Sequence, residues 1–239
     1  MKARSVFFEA IGPRNNQLVC YVVGFTAKVN QFKYSIKKLQ KRGYDVMAFD
    51  YDNAVLLDGD PQKILDLMDH ITEHIEEKAD KYDSIICMGV SLGAFIAFNV
   101  QRRIPKALVG AYATAGIAVS EGIFWMKTFE PVRDALIKNG YNKEKLAEVW
   151  KEIEIREGDR LLNDKSFVIV NGTIDRVVDY KAATKQMKSW HDEGVKVKLF
   201  RKRGLGHTAT ILWYIFNTDK MLNRALHNHH NSKQKEEQK

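Results

Sequence analysis

Gly89-Val90-Ser91-Leu92-Gly93 lies between an apolar run, Ser84-Ile85-Ile86-Cys87-Met88, and a segment of helical character, Ala94 to Arg103. The order strand, G-x-S-x-G, helix describes a serine carried on a sharp strand-to-helix turn. Such a serine takes strained backbone angles and exposes its oxygen. Gly89 and Gly93 leave room for the close packing around it. The helix that follows aims its first N–H groups at the same place. Five residues of this kind also recur by accident, so the reading rests on what the rest of the chain sets beside Ser91.

Outward from this motif the chain alternates strand and helix signals, which predicts a mostly parallel sheet with helices on both faces. Ser5 to Ala10 and Gln17 to Val23 read as strands joined by the turn Gly12-Pro13-Arg14-Asn15-Asn16, and their order suggests an antiparallel hairpin. Gln31 to Arg42 has helical periodicity and stops at Gly43. Tyr44 to Asp50 is a strand, and Pro61 to Ala79 a long helix with Asp60 at its start. Ala107 to Tyr112 is the strand after the Ser91 helix. Alternation then breaks. From 114 to 163 the periodicity is helical only, with Leu146, Val149, Trp150 and Ile153 spaced for one face. We read 114–163 as a small helical cap inserted into a core formed by 1–113 and 164–226. Strand Ser166 to Val170, helix Asp179 to Glu193, strand Val195 to Phe200 and helix Thr208 to Phe216 restore the alternation. The polar stretch 227–239 is expected to be disordered.

In open sheets of this kind, ligands gather outside the carboxyl ends of the strands. Gly24-Phe25-Thr26-Ala27 follows the strand ending at Val23, Ser91 follows Met88, Asp175 follows Val170, and His207 follows Phe200. A nucleophile, a carboxylate and an imidazole therefore meet one sheet edge, in the order Ser, Asp, His. Asp179 is the nearest rival of Asp175, but its place suits a helix N-cap.

This order and spacing resemble the α/β-hydrolase superfamily over roughly Ser5 to Phe216. The resemblance implies an α/β-hydrolase fold in which Ser91 is the nucleophile, Asp175 the acid and His207 the base. It also implies an oxyanion hole from the backbone N–H groups of Phe25 and Leu92. Gly24-Phe25-Thr26 is similar to the corresponding stretch of small bacterial carboxylesterases and monoacylglycerol lipases. Val23 departs from the pattern, since many members carry histidine there. The implied activity is cleavage of a carboxylic ester or thioester with an apolar acyl group. An acyltransferase or acyl-carrier thioesterase would use the same residues, and a non-catalytic binding protein would keep the fold without turnover. Phe124, Trp125, Phe129 and Trp150 either line an acyl pocket or pack the cap against the sheet; the sequence leaves both open.

Composition bounds the remaining classes. The 239 residues are 45% hydrophobic, enough for one sizeable core. No apolar run reaches the length of a spanning helix, and no signal peptide is expected, so a cytoplasmic location is the default. Cys20 and Cys87 fall inside apolar runs and read as buried hydrophobes rather than a disulfide. The net charge of +8 is diffuse, with Arg201-Lys202-Arg203 its densest cluster, and no nucleic-acid-binding pattern accompanies it. A basic surface also favours peripheral contact with anionic lipid or an acyl-carrier partner. His70 and His74 are spaced to share a metal, but their helix is rich in Asp and Glu and reads as a solvated face. The expected partner is a small ester or acyl substrate, with no metal and no cofactor; the sequence does not give the oligomeric state.

Overall fold

The computed structural model describes residues 3–115, 119–154, 162 and 164–236, with the backbone alone for 231–236. Among the described residues seven strands form the sheet: β1 (Arg4–Phe8), β2 (Gln17–Val22), β3 (Asp45–Asp50), β4 (Ser84–Val90), β5 (Ala107–Ala113), β6 (Ser166–Gly172) and β7 (Lys196–Lys202). The helices are α1 (Lys33–Lys41), α2 (Ala54–Leu57), α3 (Gln62–Ala79), α4 (Leu92–Arg103), α5 (Val119–Trp125), α6 (Glu130–Lys138), α7 (Lys143–Val149), α8 (Tyr180–Asp192), α9 (His207–Phe216) and α10 (Thr218–Glu236). The strand order is β1-β3-β2-β4-β5-β6-β7, parallel except for β1.

Strands covered on both faces need apolar residues on both, and alternate residues then divide between two cores. Ile85 and Cys87 join the cluster under α3, α4 and α8, while Ile86, Met88 and Val90 join the one under α1, α9 and α10. Cys20 and Cys87 are free thiols directly opposite one another on β2 and β4. Neighbouring Cys87 and burial together hold the Cys20 thiol well above its ordinary pKa.

Two expectations fail at the ends of the chain. β1 and β2 do not form a hairpin; β1 pairs with β3, Arg4 opposite Asp50 and Phe8 opposite Val46. β2 is buried along nearly its whole length and takes an interior place between β3 and β4, whereas β1, half exposed, suits an edge. The stretch from 227 is not disordered as far as Glu236, because α10 continues through it. Met221, Leu222 and Ala225 seat this helix on the sheet, the Asn228 amide donates to the Lys196 carbonyl at 2.9 Å, and His229 is buried. Residues 237–239 lie outside the described residues.

Between β5 and β6 the described residues form no strand. They give α5, a 3₁₀ turn Lys127–Phe129, α6 and α7. Trp150 ties this segment to the start of α3: its ring is buried and its indole N–H donates to the Pro61 carbonyl at 3.0 Å. Residues 116–118, 155–161 and 163, which belong to the expected cap, lie outside the described residues.

Candidate active site

β4 ends at Val90, and the chain must reverse at once to lay α4 back on the sheet. Ser91 takes the turn with φ 54° and ψ −130°, a conformation that costs a non-glycine residue about 1–3 kcal/mol. Two close approaches hold it there. A Cβ on Gly93 would sit 2.1 Å from the Val23 carbonyl oxygen, and one on Gly89 would sit 2.5 Å from that of Gly93. Only a residue without a side chain lets these backbones meet. The Ser91 N–H donates to the Ala113 carbonyl at 2.9 Å and is shared with the Thr114 hydroxyl at 3.2 Å.

Thr26, Ser91 and Thr114 are three of the four non-glycine described residues with positive φ. They follow β2, β4 and β5, neighbours in the sheet, so strain is gathered at one edge. Thr114 was invisible in the sequence: a buried threonine whose hydroxyl contacts the Ser91 N–H carries no local signal.

The three residues that follow β4, β6 and β7 come together. The Ser91 hydroxyl lies 2.9 Å from His207 Nε2, and His207 Nδ1 lies 2.9 Å from Asp175 Oδ2 and 3.2 Å from Oδ1. Asp175 also accepts the backbone N–H groups of Val177 at 2.8 Å and Val178 at 2.9 Å. Burial alone would raise the Asp175 carboxyl. The hydrogen bond from His207, the backbone donors and the nearby imidazole outweigh it, and the pKa lies below the ordinary value. An ionised carboxylate only accepts, so His207 Nδ1 carries a proton, and in the neutral ring Nε2 is the acceptor that faces the Ser91 hydroxyl. Asp179 caps α8 instead, accepting the Lys181 N–H at 2.8 Å.

Leu92 N–H stands at the first position of α4 and has no acceptor within the helix. Gly24 approaches Ser91 closely enough that a Cβ on it would lie 3.3 Å from the serine Cβ, which brings the Phe25 loop beside the hydroxyl. Ser91 and His207 open on a cavity of about 940 Å³. Phe25, Leu56, Phe95, Ile123, Trp125 and Phe129 are among the residues that line it. Of the four cap aromatics singled out by sequence, Trp125 and Phe129 line the cavity, and Phe124 and Trp150 do not. Phe124 and Phe129 both pack against the main core, so that contact does not by itself keep a ring out of the cavity. The cavity is also lined by Asp179, the N-cap of α8, and by Ala182, Ala183, Lys185, Gln186 and Ser189 of that helix, which was not foreseen.

No group of three or more His, Cys, Asp or Glu is placed to hold a metal among the described residues. The His70 ring lies 3.3 Å from the Ala3 carbonyl and the His74 ring 3.0 Å from the His70 carbonyl. Among the described residues no helix is long and apolar enough to cross a membrane.

A family model for the prolyl oligopeptidase family matches residues 30–224, a span that holds Ser91, Asp175 and His207. The chain belongs to the prolyl oligopeptidase family. No curated protein sequence matches it. Among solved structures it is similar to the Pyrococcus horikoshii acylaminoacyl peptidase, at 10% identity and a TM-score of 0.67. That match covers 92% of this chain but 40% of the peptidase, so the chain spans less than half of that relative's length. It is also similar to Est1E from Butyrivibrio proteoclasticus (15% identity, TM-score 0.63, 94% of this chain and 93% of that one). A third likeness is to a Pyrococcus furiosus esterase (18% identity, TM-score 0.57, 93% and 91%). These likenesses establish the α/β-hydrolase fold. With the family match, they make this prolyl oligopeptidase family member a hydrolase of the α/β-hydrolase superfamily.

Proposed function

We propose that this protein cleaves carboxylic esters, or thioesters, of apolar acyl groups through an acyl-enzyme on Ser91. The observation that carries the reading is the hydrogen-bonded chain from Ser91 through His207 to Asp175, open to a cavity with a largely apolar wall. A serine hydroxyl is a poor nucleophile near neutral pH. His207 takes its proton as Oγ attacks the carbonyl carbon, then delivers that proton to the leaving alcohol or thiol as the old bond breaks. Asp175 keeps the imidazole in the required tautomer and stabilises its charged form. Water then attacks the acyl-enzyme by the same route in reverse, and Ser91 regains its proton.

Negative charge grows on the carbonyl oxygen at each step. The Phe25 and Leu92 N–H groups are the donors we assign to it, with the N-terminus of α4 behind Leu92. Removing one such donor typically costs on the order of 3 kcal/mol of transition-state stabilisation. Family membership favours a second reading, a peptide or amide bond, for which the same residues protonate a leaving amine.

Two measurements test this. Intact mass after incubation with a fluorophosphonate is expected to show one adduct, absent from Ser91→Ala; no adduct on the folded protein overturns the assignment. Matched p-nitrophenyl esters and p-nitroanilides of the same acyl group separate ester from amide cleavage. Faster turnover of the anilide would replace the first reading by the second.

A further inference from the structure

Read along the chain the charge looks diffuse, but the fold gathers it. Residues 10–44 hold seven Lys or Arg and no Asp or Glu, and residues 194–218 hold five and none. The helices of these stretches, α1 and α9, pack against each other on one face of the sheet, with α10 beside them. On the opposite face α3 carries Asp66, Asp69, Glu73, Glu76 and Glu77. Lys33, Lys37 and Lys41 of α1 are exposed. Of the α1 lysines only Lys38 is ion-paired among the described residues, to Asp219 at 3.3 Å. Burial, and then the nearby Arg224 and Lys220, lower the pKa of the Lys202 ammonium, so like charges crowd there.

Within this basic face lies an apolar ridge. From Thr208 to Phe216, α9 has no Asp, Glu, Lys or Arg. Its exposed stripe is Thr208, Leu212 and Phe216, spaced four residues apart on one side of the helix. Leu212 is 50% and Phe216 57% exposed, and Tyr34 of α1, 52% exposed, meets the Phe216 ring at 5.3 Å. Lysines rim the ridge. Lys38 Nζ lies 5.0 Å from the centre of the Tyr34 ring and donates to the Phe216 carbonyl at 2.7 Å, and Lys202 Nζ lies 3.4 Å from the centre of the Trp213 ring. Such side chains cover aromatic surface with their stems and carry the charge at its border. Thr208 also lines the active-site cavity, so the ridge starts beside it and runs about 12 Å along α9.

We propose that the α1–α9 face docks on an anionic lipid surface, with Tyr34, Leu212 and Phe216 entering the headgroup layer and the surrounding lysines meeting lipid phosphates. Binding of this kind draws on buried apolar area together with attraction to anionic headgroups, and this face supplies both. A second copy of the chain fits less well. The acidic α3 face matches the charge, but among the described residues none of the exposed large hydrophobic side chains lies on α3, so nothing there covers Leu212 and Phe216. Docking in this way sets the cavity beside the lipid surface. It does not depend on the acyl-enzyme reading above.

The test is co-sedimentation of the protein with vesicles of equal parts phosphatidylcholine and phosphatidylglycerol, against vesicles of phosphatidylcholine alone. Binding is expected to the anionic vesicles only, and it should weaken as salt rises. Lys33→Gln combined with Lys37→Gln should lower it about tenfold or more. Leu212→Ser combined with Phe216→Ser should lower it about tenfold, with a thermal melt to show that the variant is folded. Lys181→Gln combined with Lys188→Gln removes the same charge from exposed positions of α8 on the opposite face and should change it by about twofold or less. No binding to anionic vesicles overturns the inference. So does an equal loss in the α8 and α1 pairs, which would mean that net charge alone is read, and so does undiminished binding in the folded Leu212→Ser, Phe216→Ser variant. Salt-sensitive self-association without vesicles, lost in the α1 pair, assigns the face to a second copy and overturns the lipid reading.

Discussion

On the sheet side of the cavity, Ser91, Asp175 and His207 stand at the ends of β4, β6 and β7, strands interior to the sheet or hydrogen-bonded to one that is. On the cap side, Trp125 and Phe129 stand on a helix of 7 residues and a turn of 3. The first region gathers positive-φ residues, close glycine contacts and a buried carboxylate. The second presents apolar side chains from short helices, and Trp125 is 79% exposed. Geometry fine enough for proton transfer needs backbones that cannot relax, whereas an apolar wall needs only surface. Loss of function should therefore be steep on one side and shallow on the other.

The sharpest break is Ser91→Ala, for which kcat/KM should fall about 10⁴-fold or more with the melting temperature little changed. Hydrolysis rates and a thermal melt on the same sample check it. Asp175→Asn should follow, with a loss of about 10⁴-fold through the wrong His207 tautomer. The same variant carries a pH signature. The folded-state carboxyl of Asp175 lies below its ordinary value, so below about pH 4 the unfolded chain binds the proton more readily. The stability this contributes is present above the unfolded value and is lost as pH falls through the folded one. Urea unfolding between pH 6 and the acid limit should show a shallower decline in Asp175→Asn than in the parent.

Gly93→Ala tests the strain itself. A Cβ 2.1 Å from the Val23 carbonyl must displace backbone, and about 1–3 kcal/mol of stability should go, with activity falling alongside. Chemical denaturation reads the first and ester turnover the second. The smallest effect should come from Trp125→Ala: a rise in KM of about tenfold or less on long acyl esters, no change in melting temperature, and kcat retained. A loss approaching that of Asp175→Asn would erase the contrast between the two walls.

How much of this was legible in the sequence follows the same division. Ser91, Asp175 and His207 each follow an apolar run, and the strand-end rule placed them on one edge without any knowledge of distances. Trp125 and Phe129 announced themselves by type, but Phe124, of the same type, does not line the cavity. Periodicity shows which residues share a helix face and not what that face meets. The place of β1 depended on competition between β1 and β4 for the free edges of β2 and β3, a matter of burial across the sheet that a local turn signal does not contain. The order of α10 beyond 227 came from packing on the sheet, against its polar composition.

The paired thiols on β2 and β4 have a practical consequence. Cys20 and Cys87 are fully enclosed, and the Cys20 thiol is held protonated. A maleimide or nitroxide reagent, which needs an accessible thiolate, meets neither in the folded state. Trp125→Cys therefore gives a single addressable label on the cap without removing any native cysteine, and spin-label spectra from it would report cap movement directly.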